Sequence, residues 1–222
     1  AITFHELRTP LTAIYGYVSL IKQIYFNDIQ DAQLKNSINN IGVLCKKLSM
    51  SINNFLDSSR LEQNKIQLKN EQCNLSAIIN ENIKVMEKIA LDKNLYIKFD
   101  SPLFPVIVQG DQARLTQIIN ILINNAIKFT QIGGIYILLD QQNDFTKVSI
   151  QDTGLGISEE NKHMLFGKFQ QAGNSNALIT WEGTGLGLYI AKLLIEKMGG
   201  KIQLEKTEIN KGSTFSFTIP NK

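Results

Sequence analysis

At 222 residues, 43% of them hydrophobic, the chain has enough apolar material for a real core in one large or two small domains, which excludes a disordered tail. Its net charge of +3, without a dense Lys/Arg stripe, argues against binding to nucleic acid or a membrane surface. Cys45 and Cys73 lack CxxC or His spacing and read as two free thiols, no apolar run reaches the length of a membrane span, and no stretch reads as a signal peptide.

The chain starts at Ala1 in what reads as mid-helix, so it is expected to be part of something longer. Phe4, Leu7, Leu11, Ile14, Val18, Ile21 and Tyr25 recur at alternating steps of three and four. Leu34, Ile38, Ile41, Cys45, Leu48, Ile52 and Phe55 do the same. Each helix thus carries a heptad-like seam, and the polar link "NDIQD" joins the two. A two-helix hairpin cannot bury both seams alone. Pairing with a second copy into a four-helix bundle solves this, so a homodimer is expected. The alternative is that both seams pack on the rest of the same chain. In "FHELRTPLT", at about 100° per residue, His5 points away from the seam and Thr9 lies one turn along on the same outer face. Pro10 removes a backbone donor and is expected to kink or loosen the helix.

After "SSRLEQNKIQL" the pattern changes. Residues 75–93 read as a helix with Ile79, Ile83, Met86 and Ala90 on one face. "LYIKF" and "VIVQG" read as short strands joined by the turn-rich "SPLFP". Asp111 suits the N-cap of a long helix carrying Leu115, Ile118, Ile119, Leu122 and Ala126. "IYILLD" and "KVSIQD" form an antiparallel pair, and a loop-rich tract covers 154–183. A helix over 186–198 stops at Gly199 and Gly200, and "KIQLEKT" and "STFSFTI" close the sheet. Paired strands with helices gathered on one side describe an α+β sandwich, not a doubly wound sheet. Two domains are expected: a helical hairpin, 1–67, and an α+β domain, 68–222.

Two glycine clusters stand out, "DTGLGIS" at 152–158 and "EGTGLGLYIAK" at 182–192. Alternate glycines bring backbone close to a ligand and expose its N–H groups as an anion nest. The second cluster runs into an amphipathic helix, whose N-terminus then also faces an anion. Neither cluster matches the Rossmann or Walker A pattern. In "NILINNAIKFT", Asn125 and Lys128 share a helical face. An amide oxygen suits magnesium, and a lysine can neutralise phosphate.

Taken together, these segments resemble the catalytic core of the sensor histidine kinases of two-component signalling. "FHELRTPLT" looks like the H-box, "NNAIKFT" the N-box, "DTGLGIS" the first glycine box, "LFGKF" the F-box and "GTGLGLYIAK" the second glycine box, in the family's order. The resemblance implies a dimerisation and histidine-phosphotransfer hairpin followed by a Bergerat-type ATP-binding domain. It implies that His5 accepts phosphate from ATP and passes it to an aspartate of a response regulator receiver domain. Glu6 would serve as general base or hydrogen-bond partner. Thr9 would position water for dephosphorylating the regulator. Asp152 would accept from the adenine amino group, with Gly154 and Gly156 shaping the pocket. Asn125 would hold Mg2+ and Lys128 would reach phosphate. Gly183, Thr184, Gly185, Leu186 and Gly187 would bind the triphosphate as the lid closes. Phe166 and Phe169 would anchor that lid. The lid, 158–182, and the link, 62–69, would have to move. The core is expected in the cytoplasm, with membrane attachment only through regions outside this stretch.

The sequence departs from the family pattern in places. Ile121 stands where the N-box has a further asparagine, and Asn120 is one residue off, about 100° round the helix. Phe4 replaces a small polar residue before the histidine and reads as packing. "ALITWEG" lacks the basic residue often found before the second glycine box. Two other readings compete with an active kinase. One is a degenerate nucleotide-binding scaffold, favoured by Ile121. The other is an ATPase of the same fold working on DNA or clients, disfavoured by the displayed "HELRT" and modest charge.

Overall fold

The structure, a computed structural model, describes residues 4–170 and 184–221, with the side chains of 4–8 outside the described set. It divides into two compact units, Ala1–Arg60 and Leu61–Lys222.

The first unit holds the two helices read from the heptad spacing, α1 (Phe4–Ile24) and α2 (Ala32–Glu62), the latter running two residues into the second unit. Asp31 starts α2 by accepting from the amides of Gln33 (2.7 Å) and Leu34 (3.2 Å). α1 continues through Pro10, which costs it one donor near its N-terminal end rather than ending it. The seam divides into two stripes. Leu11, Val18, Ile38 and Cys45 are buried. Gly42 lets the helices approach, since a Cβ there would stand 3.1 Å from Val18 Cγ1. Ile14, Leu34, Ile41 and Leu48 stay about half exposed. One stripe closes the hairpin and the other is left open. The side chains of Phe4 and Leu7 lie outside the described residues.

The second unit is built from β1 (Glu71–Asn74), α3 (Leu75–Leu91), β2 (Tyr96–Phe99), β3 (Ile107–Gly110), α4 (Gln112–Phe129), β4 (Gly134–Gln141), β5 (Phe145–Asp152), α5 (Glu159–Lys162), α6 (Gly187–Lys197), β6 (Lys201–Glu208) and β7 (Gly212–Pro220). Five strands form one sheet in the order β2-β4-β5-β7-β6, antiparallel except for the β2–β4 pair. β1 and β3 make a separate antiparallel pair. Period-two alternation marks the covered face: Ile135 and Ile137 are buried while Tyr136 and Leu138 face out. Val148, Ile150, Phe217 and Ile219 continue the covered face. They meet the apolar faces of α3 (Leu75, Ile78, Ile79), α4 (Leu115, Ile118, Ile119, Ile123) and α6 (Ile190, Leu194, Ile195). This is the α+β sandwich expected from the order of elements. β1 and the one-turn α5 were not legible. Gly199 ends α6 in the left-handed region at φ +77°, as the double glycine suggested.

Candidate functional site

Asp111 caps α4 through one carboxylate oxygen, which accepts from Arg114 N (3.1 Å), while the other accepts from Lys69 N (3.0 Å). The helix so fixed carries Asn125 and Lys128, both partly buried, on its last turns. The Lys128 ammonium lies 4.6 Å from the centroid of the Phe129 ring. The C-terminus of α4 is stitched to the first glycine cluster. Leu155 N donates to Phe129 O (3.1 Å), and a Cβ on Gly154 would stand 2.3 Å from that same oxygen. Gly156, at φ +69°, has its missing Cβ 2.1 Å from Glu208 O. Both glycines are required by close backbone packing.

Asp152 ends β5 on the covered face and is 6% exposed. Its Oδ1 accepts from the amides of Gly154 (2.8 Å) and Ser213 (3.2 Å). The other oxygen has no hydrogen-bond partner among the described residues. Burial pushes its carboxyl above the usual carboxylate range, and the two amide donors pull part of the way back. A carboxylate tied through one oxygen and open at the other is an acceptor for a ligand N–H.

The second glycine cluster leads into α6. Thr184 Oγ1 accepts from Leu186 N (3.3 Å), and Leu186 is buried at the N-cap. No side chain caps the helix, so its first-turn amides offer donors to an anion. Gly185, at φ +68°, lies against Phe169 and Gln170, with its missing Cβ 2.7 Å from Gln170 O. Gly183 lies outside the described residues. Phe166 packs edge-on against Phe215 of β7 at 6.3 Å, whereas Phe169 is largely exposed. Within this unit Glu62 accepts from Lys168 (2.7 Å) and from the Tyr189 hydroxyl (2.9 Å), which hold its carboxyl below the usual range. Lys168, and Tyr189 in the first turn of α6, thus share one carboxylate.

Ile121 packs on that turn too: a Cβ on Gly187 would stand 3.3 Å from Ile121 Cγ2. Asn120 Oδ1 is buried without a hydrogen-bond partner among the described residues. The side chains of His5 and Glu6 lie outside the described residues, and Thr9 is exposed on α1. Sequence reasoning missed Ser213 and Thr207. Ser213 Oγ lies 2.8 Å from Thr207 Oγ1, beside Asp152. The available signal was "KGSTF", a glycine followed by two hydroxyl residues at the start of a strand.

A largely antiparallel sheet backed by three helices on one face, with a buried acid before a glycine loop and an uncapped helix after a second one, defines the Bergerat-type nucleotide-binding class. The chain belongs to the family described as histidine kinase-, DNA gyrase B-, and HSP90-like ATPase, matched over residues 110–222, and residues 1–64 match the His Kinase A (phospho-acceptor) domain, making it a two-component histidine kinase catalytic core. It is 38% identical over 224 residues to the signal transduction histidine-protein kinase BarA of Escherichia coli K12, covering 97% of this chain and 23% of that protein. It is 35% identical over 222 residues to hybrid signal transduction histidine kinase B of Dictyostelium discoideum, covering 97% of this chain and 11% of that protein. The chain thus spans less than a third of the length of either relative. Among solved structures, full-length ShkA in complex with AMPPNP superposes with a TM-score of 0.80 at 26% identity, covering 98% of this chain and 44% of that one. The histidine kinase AdeS of Acinetobacter baumannii gives 0.69 at 26% identity, with 98% of each chain covered.

Proposed function

We propose that this chain binds ATP in its second unit, phosphorylates itself on His5 and passes the phosphoryl group to an aspartate of a response regulator receiver domain. The observation that carries the reading is Asp152, whose open oxygen is an acceptor for an adenine amino group in a site that also holds an uncapped helix N-terminus for phosphates. An imidazole nitrogen of His5 attacks the γ-phosphorus, the bond to the β-phosphate oxygen breaks, and ADP leaves. Glu6 takes or orients the imidazole proton. The rest of the work is positioning and charge neutralisation, assigned to Lys128, to Thr184, Gly185, Leu186 and Gly187, and to Gly183. Gly154 and Gly156 shape the base pocket. Magnesium would be held by Asn125 together with phosphates and water, and would neutralise charge on the transferring group. The donor set fits: the partly buried Asn125 on α4 offers a hard amide oxygen of the kind magnesium takes alongside phosphate oxygens and water. Thr9 positions water for a phosphatase activity towards the regulator. The hairpin, 1–67, carries the phosphotransfer, and 68–222 the nucleotide chemistry. In the parent protein this core works in the cytoplasm.

The test is incubation with magnesium and γ-labelled ATP, followed by acid and base treatment of the labelled protein. Acid-labile, base-stable label is the expected result. ATP binding without label would favour the scaffold reading that Ile121 suggests.

The open stripe of α1 and α2 belongs, in this reading, to a second copy. Leu34, Ile41 and Leu48 repeat every seven residues and are all exposed in the single chain. Ile41→Glu with Leu48→Glu removes each contact twice in a symmetric interface; each side chain is already about half covered in the single chain, so each contact is worth about half of the ~1.5–3 kcal/mol of full burial, or about 3–6 kcal/mol over the four. The dimer dissociation constant is expected to rise by about two to four orders of magnitude or more. Sedimentation velocity reads this directly. A double variant that remains dimeric, or a monomeric parent, would sink the assignment.

A further inference from the structure

The β6–β7 hairpin contains one irregularity. Leu204 pairs with Phe215 and Lys206 with Thr214, so Glu205 is an extra residue and the strand bulges there. Before the bulge Ile202 and Leu204 face the helices, while Lys201 and Gln203 face out. Strict alternation would next turn Lys206 inward. The extra residue turns Thr207 inward instead, opposite Ser213 in the ladder.

There the Thr207 hydroxyl meets the loop that follows Asp152. It accepts from Ile157 N (2.8 Å) and lies 2.8 Å from Ser213 Oγ and 3.3 Å from Gly212 O. Ser213 in turn gives its amide to Asp152 Oδ1. The hairpin also holds the loop through its backbone, Asn210 N donating to Leu155 O (2.8 Å), and Gly156 lies directly on Glu208 O. One hydroxyl therefore joins the far end of the glycine loop to the strand that supports the acid at its near end.

From this we infer that Thr207 is a positioning residue for the base pocket: aimed by the bulge at Glu205, it fixes the 152–157 loop so that the open oxygen of Asp152 faces the nucleobase. The inference rests on the nucleotide reading above. It concerns the base end of the site and leaves the phosphate end, at α6, untouched. Losing a partly buried hydroxyl leaves the Ile157 amide unpaired, a loss that corresponds to about a tenfold change in affinity.

The experiment is calorimetric titration of the whole chain with ADP, and with inorganic tripolyphosphate as a ligand that has no base. Thr207→Val should weaken ADP about tenfold and tripolyphosphate by less than about twofold, whereas Thr207→Ser, which keeps the hydroxyl, should stay within about threefold of the parent for both. Amide exchange on the unaltered protein supplies a readout independent of how the variants fold: Ile157 should be protected. Equal ADP binding by the valine variant, equal weakening of both ligands, or an unprotected Ile157 amide would overturn the positioning role while leaving the nucleotide reading standing. Failure of the parent to bind ADP at all would remove both.

Discussion

A His5→Gln protein is expected to bind ATP with parental affinity and take up no label, while His163→Gln is labelled as the parent is. These two are the chain's only histidines, which makes the pair a complete assignment of the acceptor. His163 is exposed at the C-cap of α5, so accessibility alone does not distinguish it. What distinguishes His5 is its carboxylate neighbour, Glu6, and Thr9 one turn along. A phosphorus–nitrogen bond breaks in acid, because protonation of the ring nitrogen makes it a good leaving group, and survives base. A phosphoaspartate would show the reverse sensitivity to base. Glutamine keeps a polar side chain of similar reach but no nucleophilic nitrogen, so loss of label reports chemistry and not folding. Label retained in His5→Gln and lost in His163→Gln would transfer the role to the wrong unit and end the proposal.

The second large effect is expected from Asp152→Asn, and it runs in opposite directions for binding and for stability. The asparagine oxygen can still accept from Gly154 and Ser213, which leaves its NH2 group where the open carboxylate oxygen stood. A ligand amino group then meets a donor, and nucleotide affinity should fall about 10²–10⁴-fold. The free protein should nevertheless melt higher at neutral pH. Burial raises the Asp152 pKa above its unfolded value, so between the two values the folded state binds more protons and stability falls as pH rises. Above the raised value the ionised group is a constant cost, which asparagine removes. The gain in Tm, about 2–4 °C for each kcal/mol recovered, should shrink as pH falls and vanish below the ordinary carboxylate range. Calorimetric scans of both proteins with and without ADP check both halves. A variant that binds ADP normally would remove Asp152 from the base site.

Much of this was readable from residue order, and the parts that were not share a cause. α4 and α6 carry long periodic apolar faces with clear ends, an aspartate cap in one case and a double glycine in the other, so local rules suffice. β1 is four residues, "EQCN", with no alternation to detect, and it exists because β3 pairs with it. In the hairpin, steps of three and four identify an apolar stripe but do not say which partner covers which residue. Val18 is buried against α2 while Ile41 is left open, a distinction that only packing makes. At the site, Asp152 and its glycines were legible by type and spacing. The reason for Gly154 and Gly156 was not, since the atoms that exclude a Cβ belong to Phe129 and Glu208, far away in sequence. Thr207 was invisible for the same reason: its inward aim depends on a register shift between strands.

That register shift also separates two kinds of genetic change at Glu205. Its side chain lies on the outward face and pairs with Lys147, the two side chains being only 23% and 30% exposed. Replacing the residue gives up that pair together with the carboxylate's hydrogen bonds with Ser216 and Gln203. Losing its codon leaves the ladder in register, because Lys206 would follow Leu204 directly, still outward opposite Thr214, and Thr207 would stay inward opposite Ser213, with only the bulge gone. A tolerance profile built from substitutions alone would therefore miss that the residue itself can be lost without turning the strand.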